Sequence, residues 1–449
     1  MVAMLTRNLD TSTATMVGNW ISPSLERPTP LAYLSRLNLT NFRNFVQLDL
    51  DLSSGVVVFF GANAQGKTTL LEAIYLLAIS RSFRADNERE VVNFEAGLAG
   101  EQALVGGAVV KGSERLAVYV GYQCVAARSG APRVAIDDEH DVDNPKESAP
   151  PARTGSGGGL GYSVRKEIRV SRVRRTAAEL VGMVGAVLFS ADDIDLVYGP
   201  PSGRRKYLDI LISQSDPVYI KTLQRYQRVV QQRNQLLRML RDGRAEGLEL
   251  DFWDGELVRE GAWLTWQRHQ AMERLSGMCA EHHGELSGSE SQFQMQYRPS
   301  VLLGPDLEAT VENFKEALDG FRARELATAA TVTGPHRDDF MLWVNRVDMG
   351  TFASRGEART LALTLRLAEA SYLASVRGDE PIVLLDDVLS EMDASRRERV
   401  LGKISQYQQT LITTTDLDLV RAHFGADAAY YRVANGGVSP LTYQDDGTA

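Results

Sequence analysis

Three features of the sequence predict an α/β fold into which a short helical lobe is inserted. Val56 to Phe60 form a β-branched and aromatic run, and a glycine-rich loop and an amphipathic helix follow it, as after a buried parallel strand. Alternating patterns at 34–52, 104–125 and 163–173 predict strands with one exposed face. From Pro217 to about Ala280, apolar residues recur at helical spacing instead.

Composition limits the classes of protein that the chain can represent. Its 449 residues suffice for two or three domains, and with 44% hydrophobic residues it can bury a large core. We find neither an apolar run of membrane-spanning length nor a signal peptide, and Cys124 and Cys279 lack metal-ligand spacing. These features predict a cytoplasmic protein that does not act at a membrane. The net charge of −9 means that DNA would have to bind to local basic patches.

The chain divides into four predicted segments. They are a disordered, proline-containing extension (1–30), a first α/β part (31–200), a helical lobe (201–328) and a second α/β part (329–449). Within the first part, 126–161 contains acidic, proline and glycine clusters and is predicted to be a flexible insertion. Inside it, His140 is either a metal ligand or a member of a solvated charged run.

The glycine-rich loop fits the phosphate-binding pattern G-x-x-x-x-G-K-[ST], the P-loop. Strand, loop and helix together direct backbone N–H groups and a helix N-terminus towards phosphates. We expect Lys67 to contact the β- and γ-phosphates and the Thr68 hydroxyl to bind Mg²⁺. In the following helix, Leu70, Leu71, Ile74, Leu77 and Ala78 fall on one face. The residues predicted to bind ATP are Gly61, Ala62, Asn63, Ala64, Gln65, Gly66, Lys67 and Thr68.

A second part of the predicted site is the apolar strand from Pro381 that ends in two carboxylates, Asp386 and Asp387. A strand-end Asp beside a P-loop binds Mg²⁺, so Asp386 is the candidate Walker B residue. Asp387 is placed to orient or activate the attacking water. Many strands end in an acidic turn, so this interpretation depends on the P-loop. The predicted catalytic residues are Lys67, Asp386 and Asp387.

A strongly helical run follows the segment Ser354-Arg355-Gly356-Glu357-Ala358-Arg359. Ser354 and Gly356 therefore lie at the start of a predicted helix. Such a helix start can direct a hydroxyl and N–H groups at an anion, and it resembles the signature motif of ABC-type ATPases. That resemblance implies that Ser354 and Gly356 contact ATP held by a second subunit. The alternative is an ordinary serine-capped helix. Ser390 to Asp393 stands where the superfamily has its D-loop. Thr413 to Asp416 replaces the usual histidine switch, so the γ-phosphate sensor is not assigned.

The chain as a whole, over 34–441, resembles the RecF family of bacterial recombination mediators. Five segments carry the resemblance: 39–45, the P-loop through Arg81-Ser82-Phe83-Arg84, Phe189 to Asp193 with 201–209, Thr333-Gly334-Pro335-His336-Arg337-Asp338-Asp339, and Ser354 to Arg359 with 385–393. The resemblance implies a two-lobed ABC-type ATPase head, a P-loop core with an antiparallel β subdomain, plus a short inserted helical lobe.

The same resemblance implies a function. Members of the family bind ATP, form an ATP-dependent homodimer and bind DNA at single-strand/double-strand junctions. Their partners are RecO and RecR, and they support RecA loading in gap repair, replication and the SOS response. The resemblance therefore implies ATP and Mg²⁺ as cofactors, slow ATP hydrolysis as a switch, and a nucleoid-associated location. The extension at 1–30 and the insertion at 126–161 depart from the family pattern.

Several basic residues have two interpretations each. Arg43 is either a nucleotide contact, as in SMC-like ATPases, or a surface residue of a hairpin. Arg81 and Arg84 face phosphate or DNA, or pair with the acids at 86–90. Arg204, Arg205 and Lys206 form a compact cluster that either contacts DNA phosphates or is simply solvated. His336 and Arg337 either hold the two lobes together or approach the dimer interface.

Two other functions remain open from sequence. One is a non-hydrolysing scaffold in which ATP only holds the fold. The other is a different SMC-like repair ATPase, which the short helical insertion and the missing zinc-hook cysteines argue against.

Overall fold

The computed structural model describes residues 32–126, 162–245, 248–288 and 291–441. The extension predicted at 1–30 lies outside these ranges, as does the predicted insertion with His140, apart from Ala126 at the end of a strand. Within the described ranges, every helix is too short or too polar to cross a membrane.

Three sheets contain all strands of the described residues. In chain order the strands are β1 (Ala32–Phe42), β2 (Phe45–Asp51), β3 (Gly55–Phe60), β4 (Ala103–Lys111), β5 (Glu114–Ala126), β6 (Tyr162–Val170), β7 (Val173–Arg175), β8 (Ala186–Ser190), β9 (Phe293–Arg298), β10 (Asp339–Val344), β11 (Val347–Asp348), β12 (Ile382–Asp386), β13 (Gln409–Thr414), β14 (Ala428–Ala434) and β15 (Gly437–Leu441).

The helices lie mostly in the second half of the chain. They are α1 (Lys67–Ile79), α2 (Phe94–Ala99), α3 (Ala177–Leu180), α4 (Asp195–Tyr198), α5 (Pro201–Ser215), α6 (Pro217–Arg241), α7 (Leu248–Ser287), α8 (Leu307–Thr328), α9 (Met349–Phe352), α10 (Arg355–Arg377), α11 (Ala394–Ile404) and α12 (Asp418–Phe424). Short 3₁₀ turns occur at Glu88–Val91, Ala191–Ile194, Pro335–Arg337, Leu389–Glu391 and Gly425–Asp427.

The central sheet has the strand order β15-β14-β3-β13-β12-β8. All neighbours pair in parallel except β15, which is antiparallel to β14. β3 therefore lies next to β13 and one strand away from β12, although more than 300 residues separate them in sequence. The carboxyl ends of these strands meet at one edge of the sheet, where open α/β sheets bind their ligands.

A second six-stranded sheet, β2-β1-β4-β5-β6-β7, is antiparallel throughout. Helix α1 packs between it and the central sheet, contacting β4 and β5 on one side and β12, β13 and β8 on the other. Every residue of α1 except Thr68 is consequently buried. The sequence predicts one apolar face on α1, but the buried surface extends around the helix, because a helix between two sheets is covered on all sides.

The opposite face of the central sheet packs against α10, which in turn packs against α5 and α7. Along β3, Val57 and Phe59 join the core around α1, while Val56 and Val58 join the core shared with the helices. The predicted helical hairpin is present as α6 and α7, and the third predicted helix as α8. A small sheet, β11-β10-β9, lies among them.

Candidate nucleotide site

The N-terminus of α1 is open towards the loop that precedes it. Gly66, its N-cap, has φ of 109° and supplies no side-chain cap, and the first helical turn contains no acidic residue. A Cβ at Gly66 would lie 2.6 Å from the Asn44 side-chain nitrogen, so only glycine fits here. The first backbone N–H groups of α1 are thus left for an anion, which the helix dipole also favours.

Lys67 lies across the mouth of this loop. Its Nζ donates to the carbonyl oxygens of Gly61 at 2.7 Å and Ala62 at 2.9 Å. Burial lowers the pKa of Lys67, although the charges of Asp387 and Asp386 oppose this shift. The ammonium group is therefore held by two carbonyl oxygens of the loop, with two carboxylates nearby.

Thr68 and Asp386 meet although 318 positions separate them: the Thr68 hydroxyl donates to Asp386 Oδ1 at 2.8 Å. The Thr413 hydroxyl, on the strand between β3 and β12, bonds to the same oxygen at 2.8 Å. Hydroxyl and carboxylate oxygens suit Mg²⁺, which keeps water and phosphate as its other ligands. No group of three or more His, Cys, Asp or Glu side chains in the described ranges could hold a metal. The Mg²⁺ pair, Thr68 and Asp386, stays a prediction.

Asp387 has an unusual backbone, with φ of 52°, and its N–H donates to the Thr413 hydroxyl at 3.0 Å. Its Oδ1 atom is buried without a hydrogen-bond partner. Burial raises the pKa of Asp387, while nearby Lys67 opposes this shift. A strained, partly desolvated carboxylate beside the P-loop lysine is suited to accept a proton from water.

Sequence reasoning missed the residues that hold the loop in place. The Gln65 side-chain oxygen accepts from the Asn435 N–H at 2.8 Å, and the Gln65 carbonyl accepts from Asn44 at 3.2 Å. The sequence indicates Thr413 only as part of the segment that lacks a histidine switch. Its contacts with Asp386 and Asp387 follow from strand order, which the sequence does not give.

Ser354 caps α10 in a closed capping box. Its hydroxyl accepts from the Glu357 N–H at 3.3 Å, and the Glu357 carboxylate accepts from the Ser354 N–H at 2.8 Å and from its hydroxyl at 2.7 Å. Ser354 is exposed, and the Gly356 carbonyl accepts from Arg396. The element is therefore a serine-capped helix within one chain and remains accessible to a second one.

Arg43 forms an ion pair with Glu72 of α1 at 2.6 Å. Glu72 is fully buried, and it also accepts from the Ser82 hydroxyl and lies 4.0 Å from Arg84. Nε and Nη2 of Arg43 are thus bound to Glu72, so Arg43 is not simply a solvated hairpin residue. Its contact with a nucleotide stays a prediction. For Arg84, the partner is Glu72 and not the acids at 86–90.

Two of the three side chains in the predicted DNA cluster also make contacts within the fold. Arg204 makes a two-point ion pair with Asp339 at 2.6 and 2.9 Å, and Arg205 donates to the Asp338 carbonyl at 3.0 Å. Contact of this cluster with DNA stays a prediction. Lys206 is exposed.

His336 lies at a polar junction between the helical lobe and β10. Removal from water lowers its pKa to about 4, so its ring is neutral at physiological pH. The Thr331 carbonyl can only accept, so Nε2 donates to it at 3.1 Å, and Nδ1 accepts from the Tyr226 hydroxyl at 2.7 Å. Buried Arg268 joins the same junction through Asp209 and the Pro335 carbonyl. These contacts favour the lobe-joining interpretation.

Three features define an ABC-type ATPase head. They are a P-loop after a strand of a parallel sheet, a Walker B strand separated from that strand by one other, and an antiparallel sheet over α1. The sequence model described as "RecF/RecN/SMC N terminal domain" matches residues 33–435. The chain is 39% identical over 411 residues to "DNA replication and repair protein RecF" of Herpetosiphon aurantiacus, covering 91% of this chain and 100% of that protein. It therefore belongs to the RecF family of DNA replication and repair proteins, which confirms the predicted resemblance and fold class.

Other relatives agree with this assignment. The RecF of Chloroflexus aurantiacus is 38% identical over 413 residues, 90% of this chain and 99% of that protein. A solved structure described as "the recombination mediator protein RecF-ATP in RecFOR pathway" superposes with a TM-score of 0.77 at 28% identity, covering 93% of this chain and 100% of that one.

Proposed function

We propose that this chain is an ATP-gated, DNA-binding recombination mediator of the RecF type. The observation that carries the ATP-binding step is the Thr68–Asp386 contact at the uncapped N-terminus of α1. It joins the phosphate-binding helix to the strand that supplies the carboxylates. The likeness to a RecF structure with ATP supports the same nucleotide.

Thr68 and Asp386 would hold Mg²⁺, with ATP phosphates and water as its remaining ligands. Bound Mg²⁺ would neutralise charge on the phosphates. Lys67 contributes a fixed positive charge at the loop mouth, and Asp387 is positioned to take a proton from water. Hydrolysis at this site is slow and serves as a switch, with no substrate other than ATP.

The dimer is the second step of the proposal. When ATP is bound, the exposed Ser354 and the half-buried Gly356 of one subunit close over the γ-phosphate held by the P-loop of the other. Accessibility of the α10 N-terminus supports this arrangement. ATP then acts as a ligand that closes a homodimer.

DNA is the target of the closed dimer, at junctions between single and double strands. RecO and RecR are the proposed partners, RecA loading is the proposed outcome, and the proposed location is the nucleoid within the cytoplasm. Among the three cluster residues predicted to contact DNA, Lys206 is exposed, and Arg204 and Arg205 are half-buried.

Binding of gapped duplex DNA with and without ATP, at low and moderate salt, tests this function. ATP should increase the affinity, and moderate salt should weaken it steeply, because phosphate contacts release counterions. Lys67→Met should lose the ATP effect, whereas Lys315→Met, at an exposed helix position, should keep it. An affinity that changes neither with ATP nor with salt would contradict the proposal.

A further inference from the structure

The antiparallel sheet has one face packed on α1 and one face turned away from it. Inward residues of β4 and β5, such as Val105 and Val120, are completely buried. The outward positions alternate with them and are exposed or half-buried over most of the sheet. None of the nucleotide-site contacts described above uses this outer face.

Tyr119 is the large aromatic residue on this outer face, and 38% of it is exposed. It pairs across the strands with Gly106 on one side and Arg169 on the other. A Cβ at Gly106 would come within 3.0 Å of the Tyr119 ring, so the glycine makes the space that the ring occupies. The ring therefore rests on the sheet surface with no side chain from Gly106 beneath it.

The arginines of β6, β7 and their turn surround the same position. Arg169 pairs with Arg174 on the next strand, and both donate to Glu167, at 2.6 and 2.9 Å. Arg165 and Arg172 are exposed nearby along the chain. Of the six basic residues at 165–175, Lys166 binds Glu88 and Arg175 binds Glu179. The other four, Arg165, Arg169, Arg172 and Arg174, accompany one acidic residue, Glu167, although the whole chain carries a net charge of −9. This edge of the sheet thus presents a local positive field.

We propose that this outer face, centred on Tyr119 and edged by Arg169, Arg172 and Arg174, is a binding platform for single-stranded DNA. An exposed aromatic ring stacks on a base of any sequence, and flanking arginines contact the phosphates. The charge of the strand complements the basic edge, and duplex bases, being stacked within the helix, are not open to the ring. The platform rests on the proposed function, because it supplies the single-strand side of a junction.

Two oligonucleotides separate stacking from charge: a labelled thymidine strand and an abasic strand with the same number of phosphates. In fluorescence anisotropy, the full-length chain should bind the thymidine strand more tightly. Tyr119→Ala should weaken thymidine binding at least about fivefold and leave abasic binding unchanged. Tyr119→Phe should keep the preference, since it keeps the ring.

Arg172→Ala should weaken both strands equally and reduce the salt slope by about 0.7. Matched controls lie on α8. Phe321, which is also 38% exposed, is the control for the aromatic ring of Tyr119, and the exposed Arg324 is the control for the charge of Arg172. Phe321→Ala and Arg324→Ala should bind like the wild type. Thermal melting checks that each variant is folded.

The platform is refuted if Tyr119→Ala binds the thymidine strand as tightly as the wild type, or if the wild type does not distinguish the two strands. Gapped-duplex binding measured in parallel separates the two proposals. ATP-dependent gapped-duplex binding by the wild type, with no effect of Tyr119→Ala on either substrate, would remove the platform and leave the mediator function standing. No DNA binding by the wild type would remove both.

Discussion

Helices α1 and α10 both begin at the ATP-related motifs, but their N-termini are built in opposite ways. At α1, Gly66 provides no capping side chain, and Lys67 replaces the acidic residue that a first turn often contains. At α10, Ser354 and Glu357 form a complete capping box. The start of α1 therefore has no side-chain cap, whereas the start of α10 is capped by a side chain of its own chain.

The two helix starts are the two halves of the proposed composite site, and the difference shows how ready each half is to bind a phosphate. The α1 end is pre-organised for an anion, because no side chain caps its first N–H groups. At the α10 end, the Ser354 hydroxyl is engaged with Glu357 and must be shared or released to meet a phosphate. In the proposed composite site, one subunit would therefore hold ATP by itself, and its closure by another would be weaker and easier to reverse.

Asp387→Asn should have the largest effect, because it removes the proposed proton acceptor. Phosphate release should fall by about a hundred- to ten-thousandfold, while ATP-dependent dimerisation persists. Phosphate release by purified chain measures the rate, and sedimentation measures the dimer. Equal rates for variant and wild type would favour the non-hydrolysing scaffold.

Lys67→Met tests the pre-organised end. Loss of a charge-assisted contact should weaken ATP binding roughly a hundredfold, and with it the dimer that forms on ATP addition. Titration with a fluorescent ATP analogue gives the affinity, and Lys315→Met serves as control. If sedimentation showed the same dimer content with and without ATP in the wild type, the switch itself would be wrong.

Ser354→Arg tests the self-capped end. The variant should bind ATP normally as a monomer, yet its dimer should dissociate at least about thirtyfold more readily, the cost of disrupting a buried interface position. Sedimentation over a range of concentrations measures this constant. A variant that loses ATP binding would mean that Ser354 acts on the nucleotide of its own chain.

Glu357→Gln should have the smallest effect. The Ser354 N–H, and then its hydroxyl, lower the pKa of Glu357 by donating to the carboxylate. The ionised carboxylate therefore stabilises the folded state above pH 4.5, its ordinary pKa, and this stability is lost as pH falls through the lower folded-state value. Because the pair is exposed, the melting temperature should fall by only about 1 °C at neutral pH. A difference that persists at acidic pH would exclude this cause.

Much of the nucleotide site could be predicted because its parts are local. The P-loop pattern consists of Gly66 and its neighbours in the chain. The strands β3 and β12 can be recognised in the same way, because each is a run of consecutive apolar residues. The distribution of charge partners could not be predicted in the same way. Arg204 and Arg205 form a basic cluster in sequence, yet Asp339 and the Asp338 carbonyl bind them, from more than 130 positions away.

The sequence by itself determined the fold class and the family, and it predicted the phosphate-binding loop and the Walker B carboxylates. Only the tertiary structure decided that Thr413 holds Asp386, that Glu72 takes Arg43, and that Tyr119 stands among arginines on an open sheet face. The physical reason is the range of the interactions. Loop geometry and strand propensity act between neighbours in the chain, whereas side-chain partners depend on strand order and register, which emerge when distant segments pack.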